Sequence, residues 1–442
     1  MIRQRKLSIL LAVLLAPVLL LVGGSLVQRQ ADDAQEPAPA PAVVGIAQFG
    51  AGSDPSGGIQ ALQDRLGRLP QDDAGWASLG FAYVAQARRT ADPSFYDKAE
   101  QVLDRSLQIR PDDNADALTG QAALANARHE FAQGRALAQR VVDMDPYDST
   151  AKGVLADSQI ELGEYEAALT TLDQMAALRP GVPSFTRVSY SYELRGDVTN
   201  ATYALDRALA VSATPQDEAF VFLLLGELAL NAGDYATADK HFAEGLRRDP
   251  GLVPLLAGQA RLAAARGDVE VALAGYEDVV QRLPQPSYLV EYGELLESVG
   301  RPEEADEQYA VADAAAALYE SSGAVQDVES VLYHADHGRP EQALEIAERQ
   351  YSTRRSVQIE DAMAWALHMN GRDAEALEHA TEAARLGTRN ALWDYHRGMI
   401  LLALGRVEEG RAALELALET NKGFSPRHAP LAAEALARSQ PG

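Results

Sequence analysis

The sequence predicts an all-α protein, a superhelical solenoid of about ten helix–turn–helix repeats that follows an N-terminal hydrophobic segment and a flexible linker. Two observations predict this fold. A small residue returns about every 34 positions along most of the chain, and a glycine stands five residues before it in most units. A fixed period of this length is typical of stacked helical hairpins, because one hairpin cannot bury its apolar face alone.

The small residue of each unit is alanine or glycine, as expected where two helices approach closely. Intervals between successive units run from 33 to 38 residues, and the longest, 38, separates Ala305 from Ala343. Ten units are predicted, centred on Ala99, Gly134, Ala168, Ala201, Ala238, Ala272, Ala305, Ala343, Ala376 and Gly410.

The glycine before each small residue is expected to end the first helix by adopting a left-handed conformation. An aspartate often follows it and is expected to cap the second helix. The capping aspartates predicted in this way are Asp197, Asp234 and Asp268. The glycines are Gly163, Gly196, Gly233, Gly267, Gly300, Gly338, Gly371 and Gly405.

The residue types inside the units resemble those of the tetratricopeptide repeat family. The stretch WASLGFAYVAQA places Trp76, Leu79, Gly80 and Tyr83 at the spacing of that motif, and FLLLGELALNAGDYATADKHFAEGLRRDP continues it through a second helix. The second half also resembles exported, uncharacterised bacterial proteins of this family, through phrases such as NKGFSPRHAP. The resemblance implies a fold and a location, without a chemical activity.

The resemblance also implies a site, because tetratricopeptide arrays bind peptides along the concave face lined by their first helices. The inward positions are expected to form a groove with acidic residues and an aromatic C-terminal end. An alternative is that they are ordinary helix surface, or are covered by the superhelix itself. These positions are Tyr190, Glu193, Glu227, Arg261, Glu294, Glu297, Trp365, His368, Tyr395 and Met399.

The N-terminal residues predict export. Three basic residues precede an uncharged run over residues 7–27, which is long enough to cross a bilayer, where about 20 residues are needed. Residues 1–30 are therefore predicted to be a cleaved signal peptide or a membrane anchor, and both place the rest outside the cytoplasm. Further boundaries are predicted at 31–56 for an Ala/Pro/Gly linker, 57–426 for the solenoid and 427–442 for a C-terminal capping helix and tail.

The composition limits the partners. The chain has 64 acidic and 39 basic residues, a formal charge of -25, so it would repel nucleic acid. It has no cysteine, which excludes disulfides, thiolate nucleophiles and cysteine–zinc sites. We therefore expect a protein or peptide partner, of basic or amide-rich chemistry, and we predict no cofactor.

Catalytic motifs are incomplete. His129 and Glu130 begin a zinc-protease pattern, but Gln133 stands where the second histidine belongs. The main hypothesis is therefore a non-catalytic scaffold that holds a partner segment in its groove on the extracytoplasmic side of the membrane. The alternative is an enzyme, or a metal-handling or transport accessory protein, with a site near His334, His337 or His368, and convergence of three titratable side chains would favour it.

Overall fold

The computed structural model describes residues 55–90, 92–321 and 328–439, which all belong to one compact unit. The predicted signal or anchor segment, 1–30, lies outside the described residues, as does the predicted linker 31–56 apart from its last two positions. Among the helices of the described ranges, none combines the length and apolarity that a membrane span requires.

The described residues form 22 α-helices, one short 3-10 helix (Ala384–Leu386) and no strand, which confirms the predicted all-α solenoid. A leading helix and a final helix flank ten helical hairpins. The helices are α1 (Pro55–Arg68); the hairpins α2–α3 (Asp73–Thr90, Ser94–Ile109), α4–α5 (Ala115–Ala127, Phe131–Met144), α6–α7 (Ser149–Glu161, Tyr165–Leu178), α8–α9 (Val182–Glu193, Val198–Ala210), α10–α11 (Pro215–Asn231, Tyr235–Arg248), α12–α13 (Val253–Arg266, Val269–Arg282), α14–α15 (Pro286–Ser298, Pro302–Ser321), α16–α17 (Val328–Asp336, Pro340–Tyr351), α18–α19 (Val357–Met369, Asp373–Ala383) and α20–α21 (Ala391–Ala403, Val407–Thr420); and α22 (His428–Arg438).

The turn inside each hairpin follows the predicted chemistry in most repeats. All eight predicted glycines have positive φ angles, between 69° and 81°, and His129 takes the same conformation in repeat 2 with φ 61°. Asp197 and Asp234 cap their second helices by accepting from the backbone N–H groups of Asn200 and Thr237. Asp268 occupies the N-cap position of α13 as predicted, but its side chain makes no capping hydrogen bond.

The small residues of the repeats allow the helices to approach closely. Ala238 is fully buried, and Phe242 packs one turn further along α11. A Cβ placed on Gly226, on the facing helix α10, would stand 2.3 Å from Cε1 of Phe242. The aromatic ring therefore fills the space that a missing side chain leaves, which explains why this position is glycine.

The first helices line the concave side of the superhelix. Successive first helices, such as α10 and α12 or α16 and α18, pack against each other, whereas successive second helices do not approach each other as closely. Helices on the inside of a curved array are closer together than those on the outside. Side chains that project from the free face of α8, α10, α12, α14 and α16 therefore form the inner surface of the superhelix.

The superhelix contacts itself along a seam, which we define as the contact of the turns in repeats 3, 4 and 5 with the loops before α18, α20 and α22. The backbone N–H of Arg355 donates to the carbonyl of Glu161 at 2.7 Å. Thr388 Oγ1 donates to the carbonyl of Leu194 at 2.5 Å, and Asn421 Nδ2 donates to the carbonyl of Leu230 at 2.9 Å. Each contact joins elements six repeats apart, so one superhelical turn holds six repeats.

Tyrosine hydroxyl groups complete the seam. Tyr165 Oη accepts from the backbone N–H of Val357 at 2.7 Å. Tyr235 Oη donates to Asn421 Oδ1 at 2.6 Å and accepts from the backbone N–H of Gly423 at 3.0 Å. Because these loops would otherwise leave buried polar groups without partners, the tyrosines stabilise the stacking of one turn on the next.

Candidate partner-binding surface

Carboxylates of successive first helices meet on the inner surface. Glu227 of α10 accepts two hydrogen bonds from Arg261 of α12, at 2.8 and 2.9 Å, and Arg261 also reaches Glu291 of α14 at 3.2 Å. The side chains of Glu227, Arg261 and Glu291 keep 27, 34 and 31% of their exposure, so the surface stays open to solvent. The structure thus brings together Glu227 and Arg261, two of the residues that the sequence placed at inward positions.

Tyr190 and Glu193 lie one repeat earlier on α8, beside the seam. Tyr190 Oη accepts from Gln358 Nε2 at 2.6 Å, so the following superhelical turn covers this tyrosine. Burial raises the pKa of Glu193. A hydrogen bond from Asn231 lowers this pKa in part, and the nearby charge of Glu227 raises it further. Tyr190 is therefore an internal contact, whereas Glu193 adds an incompletely compensated carboxylate to the inner surface.

Glu294 and Glu297 continue the acidic row on α14. Burial and the neighbouring charge of Asp336 raise the pKa of Glu294 to about 8, although Arg427 opposes the shift. Arg427 Nη1 donates to Glu297 Oε2 at 2.7 Å, and its Nη2 donates to the carbonyl of Asp336 at 2.7 Å. One arginine from the segment before α22 therefore contacts the most concentrated part of the acidic row.

The expected aromatic end of the groove needs a correction, because Trp365 and Tyr395 are buried, at 4% and 2% exposure. Trp365 Nε1 donates to Asp336 Oδ1 at 2.8 Å, and its ring stacks on His396 at 4.2 Å between centroids. Tyr395 packs against His428 at 5.1 Å. The segment before α22 and helix α22 itself cover these rings, so neither offers exposed aromatic surface.

His368 and Met399, the remaining predicted positions, are half-buried. His368 Nδ1 lies 2.6 Å from Asp373 Oδ1, at the start of the second helix of its own repeat. Met399 packs against the hydrophobic core of repeats 8–10. Both contacts are structural, and a partner-binding role for either residue stays a prediction.

The histidines of the alternative hypothesis lie on α16 and just after it. His334 is buried, and burial lowers its pKa to about 4. His337 Nδ1 lies 2.8 Å from the carbonyl of Tyr333, and its Nε2 lies 3.8 Å from Glu297 Oε2. Within the described ranges, no group of three or more histidine and carboxylate side chains has the arrangement of a metal site.

A pocket of about 490 Å³ opens beside His337, between repeats 7 and 8. We call it the junction pocket. It combines carboxylates, two tyrosines, His337 and two arginines. It also unites two residues that the sequence singled out for different reasons, Glu297 from the groove and His337 from the alternative site. Its lining comprises Glu297, Asp306, Tyr309, Ala310, Asp313, Tyr333, Asp336, His337, Arg339 and Arg427.

Sequence reasoning missed the role of Arg427 and Gln358, which reach the inner surface from outside the predicted inward positions. Arg427 lies in the segment before α22, outside any first helix, and Gln358 lies at the start of the first helix α18 but was not among the predicted positions. The available signal was NKGFSPRHAP, a polar stretch that follows α21, carries Arg427 and runs into the start of α22. A polar loop next to a predicted acidic groove could have indicated an internal contact.

The fold and its inner surface define a class of protein, a superhelical solenoid of helical hairpins. Three stretches of the chain match family models described as tetratricopeptide repeat: residues 125–185, 223–285 and 395–423. We identify the chain on these matches as a tetratricopeptide repeat protein. The family is generally non-catalytic, and the repeats indicate a scaffold for protein–protein interaction.

Similar solved structures include a thermophilic tetratricopeptide repeat protein of Thermus thermophilus, with 23% identity, a TM-score of 0.36 and coverage of 42% of this chain and 97% of that one. The Cut9–Hcn1 hetero-tetramer of the APC/C shares 14% identity with a TM-score of 0.43, and the match covers 87% of this chain and 81% of that one. PilF of Pseudomonas aeruginosa shares 16% identity with a TM-score of 0.36, and the match covers 49% of this chain and 94% of that one. A search of curated proteins gives no significant match.

Proposed function

We propose that this protein is a non-catalytic scaffold that binds a basic segment of another protein along its acidic inner surface. The observation that carries the proposal is the row formed by Glu193, Glu227, Glu291, Glu294 and Glu297. In the described part of the chain, two arginines, Arg261 and Arg427, contact this row. Even with Glu294 protonated at neutral pH, the remaining acidic groups outnumber these two arginines, which favours a ligand of positive charge.

The raised pKa of Glu294 supports this proposal. A carboxyl group that holds its proton to about pH 8 lies where negative charge is insufficiently compensated and poorly hydrated. A cationic side chain bound nearby would stabilise the ionised form, so binding would release a proton. The free energy of the interaction would then depend on both salt and pH.

The test is capture of binding proteins from the envelope of the source organism, followed by titration of the captured partner with the full chain. The triple variant Glu227→Gln, Glu294→Gln, Glu297→Gln should slow association and flatten its salt dependence, because steering is electrostatic. The matched control, Glu270→Gln, Glu303→Gln, Glu307→Gln, replaces as many glutamates on second helices. Both triples are compared above pH 8, where Glu294 of the unmodified chain is ionised and each triple removes three negative charges. Equal effects of both triples would contradict binding at the inner surface.

The proposed location is the extracytoplasmic side of the membrane, supported by the basic residues and the uncharged run at positions 7–27. A reporter fused after residue 442 should be active only outside the cytoplasm. Mass spectrometry of the native N-terminus distinguishes the two forms, since an intact Met1 indicates an anchor and a start near Ser25 indicates cleavage. Activity of a reporter that functions only in the cytoplasm would contradict export.

A further inference from the structure

The junction pocket exists because repeats 7 and 8 are spaced differently from the others. Their small residues, Ala305 and Ala343, are 38 positions apart, the longest interval in the array. Helix α15 is the longest helix of the described residues, and it approaches α16 less closely than any other second helix approaches the first helix that follows it. Among the described residues, the pocket lies between these two helices, and Glu297 of α14 and Arg427 complete its lining.

Two buried polar groups line this pocket without a hydrogen-bond partner. Tyr309 is 8% exposed and the side chain of His337 is 10% exposed, and neither Tyr309 Oη nor His337 Nε2 makes a hydrogen bond of normal geometry to a described residue, although the carboxylate of Glu297 is the neighbour of both. His337 Nδ1 carries the ring proton, because its neighbour at 2.8 Å, the carbonyl of Tyr333, can only accept. Burial lowers the pKa of His337 and favours the neutral ring, in which Nε2 is an acceptor, 3.8 Å from the carboxylate of Glu297.

The charge of the lining favours a cation. Four of its side chains are carboxylates and two are guanidinium groups. Both arginines are already paired, Arg427 with Glu297 at 2.7 Å and Arg339 with Asp313 at 3.0 Å. Asp306, at the exposed side of α15, has no ion pair among the described residues.

The pocket lining already holds one cationic side chain, that of Arg339. The guanidinium group of Arg339 lies 4.6 Å from the centre of the Tyr333 ring while it pairs with Asp313. A carboxylate beside an aromatic face is a favourable environment for a positive side chain, since both attract it. The unpaired carboxylate of Asp306 and the acceptor on His337 offer an incoming side chain comparable partners.

We propose that the junction pocket binds one arginine or lysine side chain of the partner segment and thereby selects which basic segments the scaffold accepts. This inference rests on the proposed function, because it assigns the chemistry of one position within that partner. The cationic end of the side chain bonds His337 Nε2 and Glu297, while Asp306 attracts it at the mouth. Tyr309 packs its ring beside the aliphatic part and aligns the pocket through its hydroxyl group.

The test uses the full chain and three blocked tripeptides with glycine on both sides of arginine, lysine or citrulline. Saturation-transfer NMR measures their dissociation constants. The arginine and lysine peptides should bind, and citrulline, which has the shape of arginine without its charge, should not. Binding of the citrulline peptide with equal affinity, or no binding of any peptide, would overturn the proposal.

Matched variants locate the site. Asp306→Asn should weaken arginine-peptide binding about two- to five-fold, because one partly screened charge is lost, and Tyr309→Phe should also weaken it. Glu307→Gln, one residue further on α15 and outside the pocket, should leave the affinity unchanged. Equal effects of Asp306→Asn and Glu307→Gln would show general attraction by the acidic surface and overturn the site. In that case the captured partner could still respond to the inner-surface triple variant, so the two proposals fail separately.

Discussion

Gly196 lies against the backbone of Gly387 across the seam, so closely that a Cβ placed on Gly196 would stand 2.3 Å from the carbonyl oxygen of Gly387. Its φ angle of 69° is also one that residues with side chains rarely adopt. Two independent constraints therefore act on this glycine. The first is local to the hairpin, and the second arises because the next superhelical turn stacks on it.

Gly196→Ala should separate these two constraints when it is compared with Gly405→Ala. Gly405 has a similar φ angle, 73°, and open space around it. Each substitution should lose about 1–2 kcal/mol to the left-handed conformation. Gly196→Ala should lose a further 1–3 kcal/mol or so, because the seam must move apart. Urea unfolding measures both, and equal losses would mean that the seam does not constrain Gly196.

Ala238→Leu tests whether the seam couples distant repeats. The added volume should destabilise repeat 5 by about 1–3 kcal/mol, since Ala238 is fully buried. A solenoid with nearest-neighbour contacts alone would confine the effect to adjacent repeats. Because the turn of repeat 5 contacts Asn421 and Gly423, we expect faster hydrogen exchange there as well.

The control for this experiment is Ala99→Leu, an equally buried alanine in repeat 1. Repeat 1 contributes no residue to the seam as defined, so its substitution should leave exchange around residues 420–423 unchanged. Exchange measured by mass spectrometry compares the two variants at these residues. If Ala238→Leu changes only repeats 4 to 6, the seam contacts are too weak to couple the turns.

The repeats could be predicted from the sequence because their causes are local. A glycine five residues before a buried alanine determines where a helix ends, and Gly233 and Ala238 illustrate this within one hairpin. The seam could not be predicted in the same way. Thr388 and Leu194 are 194 positions apart, and their contact depends on small rotations added over six repeats.

Four glutamates of the acidic row were predictable for the same reason, whereas Glu291 was not predicted and neither was the burial of the aromatic residues. Glu227 and Arg261 occupy equivalent positions of successive first helices, so the helical period identifies them. Tyr395 occupies such a position too, but Phe424 and His428 pack against it. The helical period states which way a side chain faces and does not state what covers it.

Arg427→Met should weaken the attachment of the segment before α22 to the inner surface. It removes the hydrogen bonds to Glu297 and to the carbonyl of Asp336, and bonds that involve charged groups contribute about 1.5–3 kcal/mol each when well formed. Partial exposure of both side chains reduces this, so we expect a total loss of about 1–3 kcal/mol in thermal unfolding.

The comparison for Arg427→Met is Arg438→Met, which breaks an exposed ion pair with Glu434 within α22. Pairs of this local kind contribute about 0.3–0.5 kcal/mol. Arg427→Met should therefore lower the melting temperature clearly more than Arg438→Met. Similar shifts for both would show that Arg427 does not hold the segment in place.

Glu294→Gln should change the pH dependence of stability. The pKa of Glu294 is raised from 4.5 to about 8 by folding, so the native state keeps a proton that the unfolded state releases between these values. Stability from this group is therefore present below pH 4.5 and is lost as the pH rises towards 8. Glutamine does not ionise, so the stability of the variant relative to wild type should increase from about pH 5 to about pH 8.

Glu304→Gln is the control for that titration, because its sign is opposite. A hydrogen bond from Arg301 lowers the pKa of Glu304, so its contribution is present at neutral pH and is lost as the pH falls below the unfolded value. Urea unfolding at pH 5, 6.5 and 8 should show a trend for Glu294→Gln and none for Glu304→Gln. A flat difference for Glu294→Gln would contradict the raised pKa.

Trp365→Ala should act on stability, although the sequence alone predicts a binding residue. The indole is buried in the core of repeats 8–10, and removing a buried tryptophan costs about 3–5 kcal/mol. Trp365→Phe keeps one aromatic ring in the core and removes the N–H that Asp336 accepts at 2.8 Å together with part of the buried volume, so it should cost less than Trp365→Ala, about 1–3 kcal/mol. Urea unfolding ranks the two variants, and titration with the captured partner at a temperature where both are folded measures binding. If Trp365→Ala unfolds like wild type and loses the partner, the indole is a groove anchor and its burial in the core is wrong.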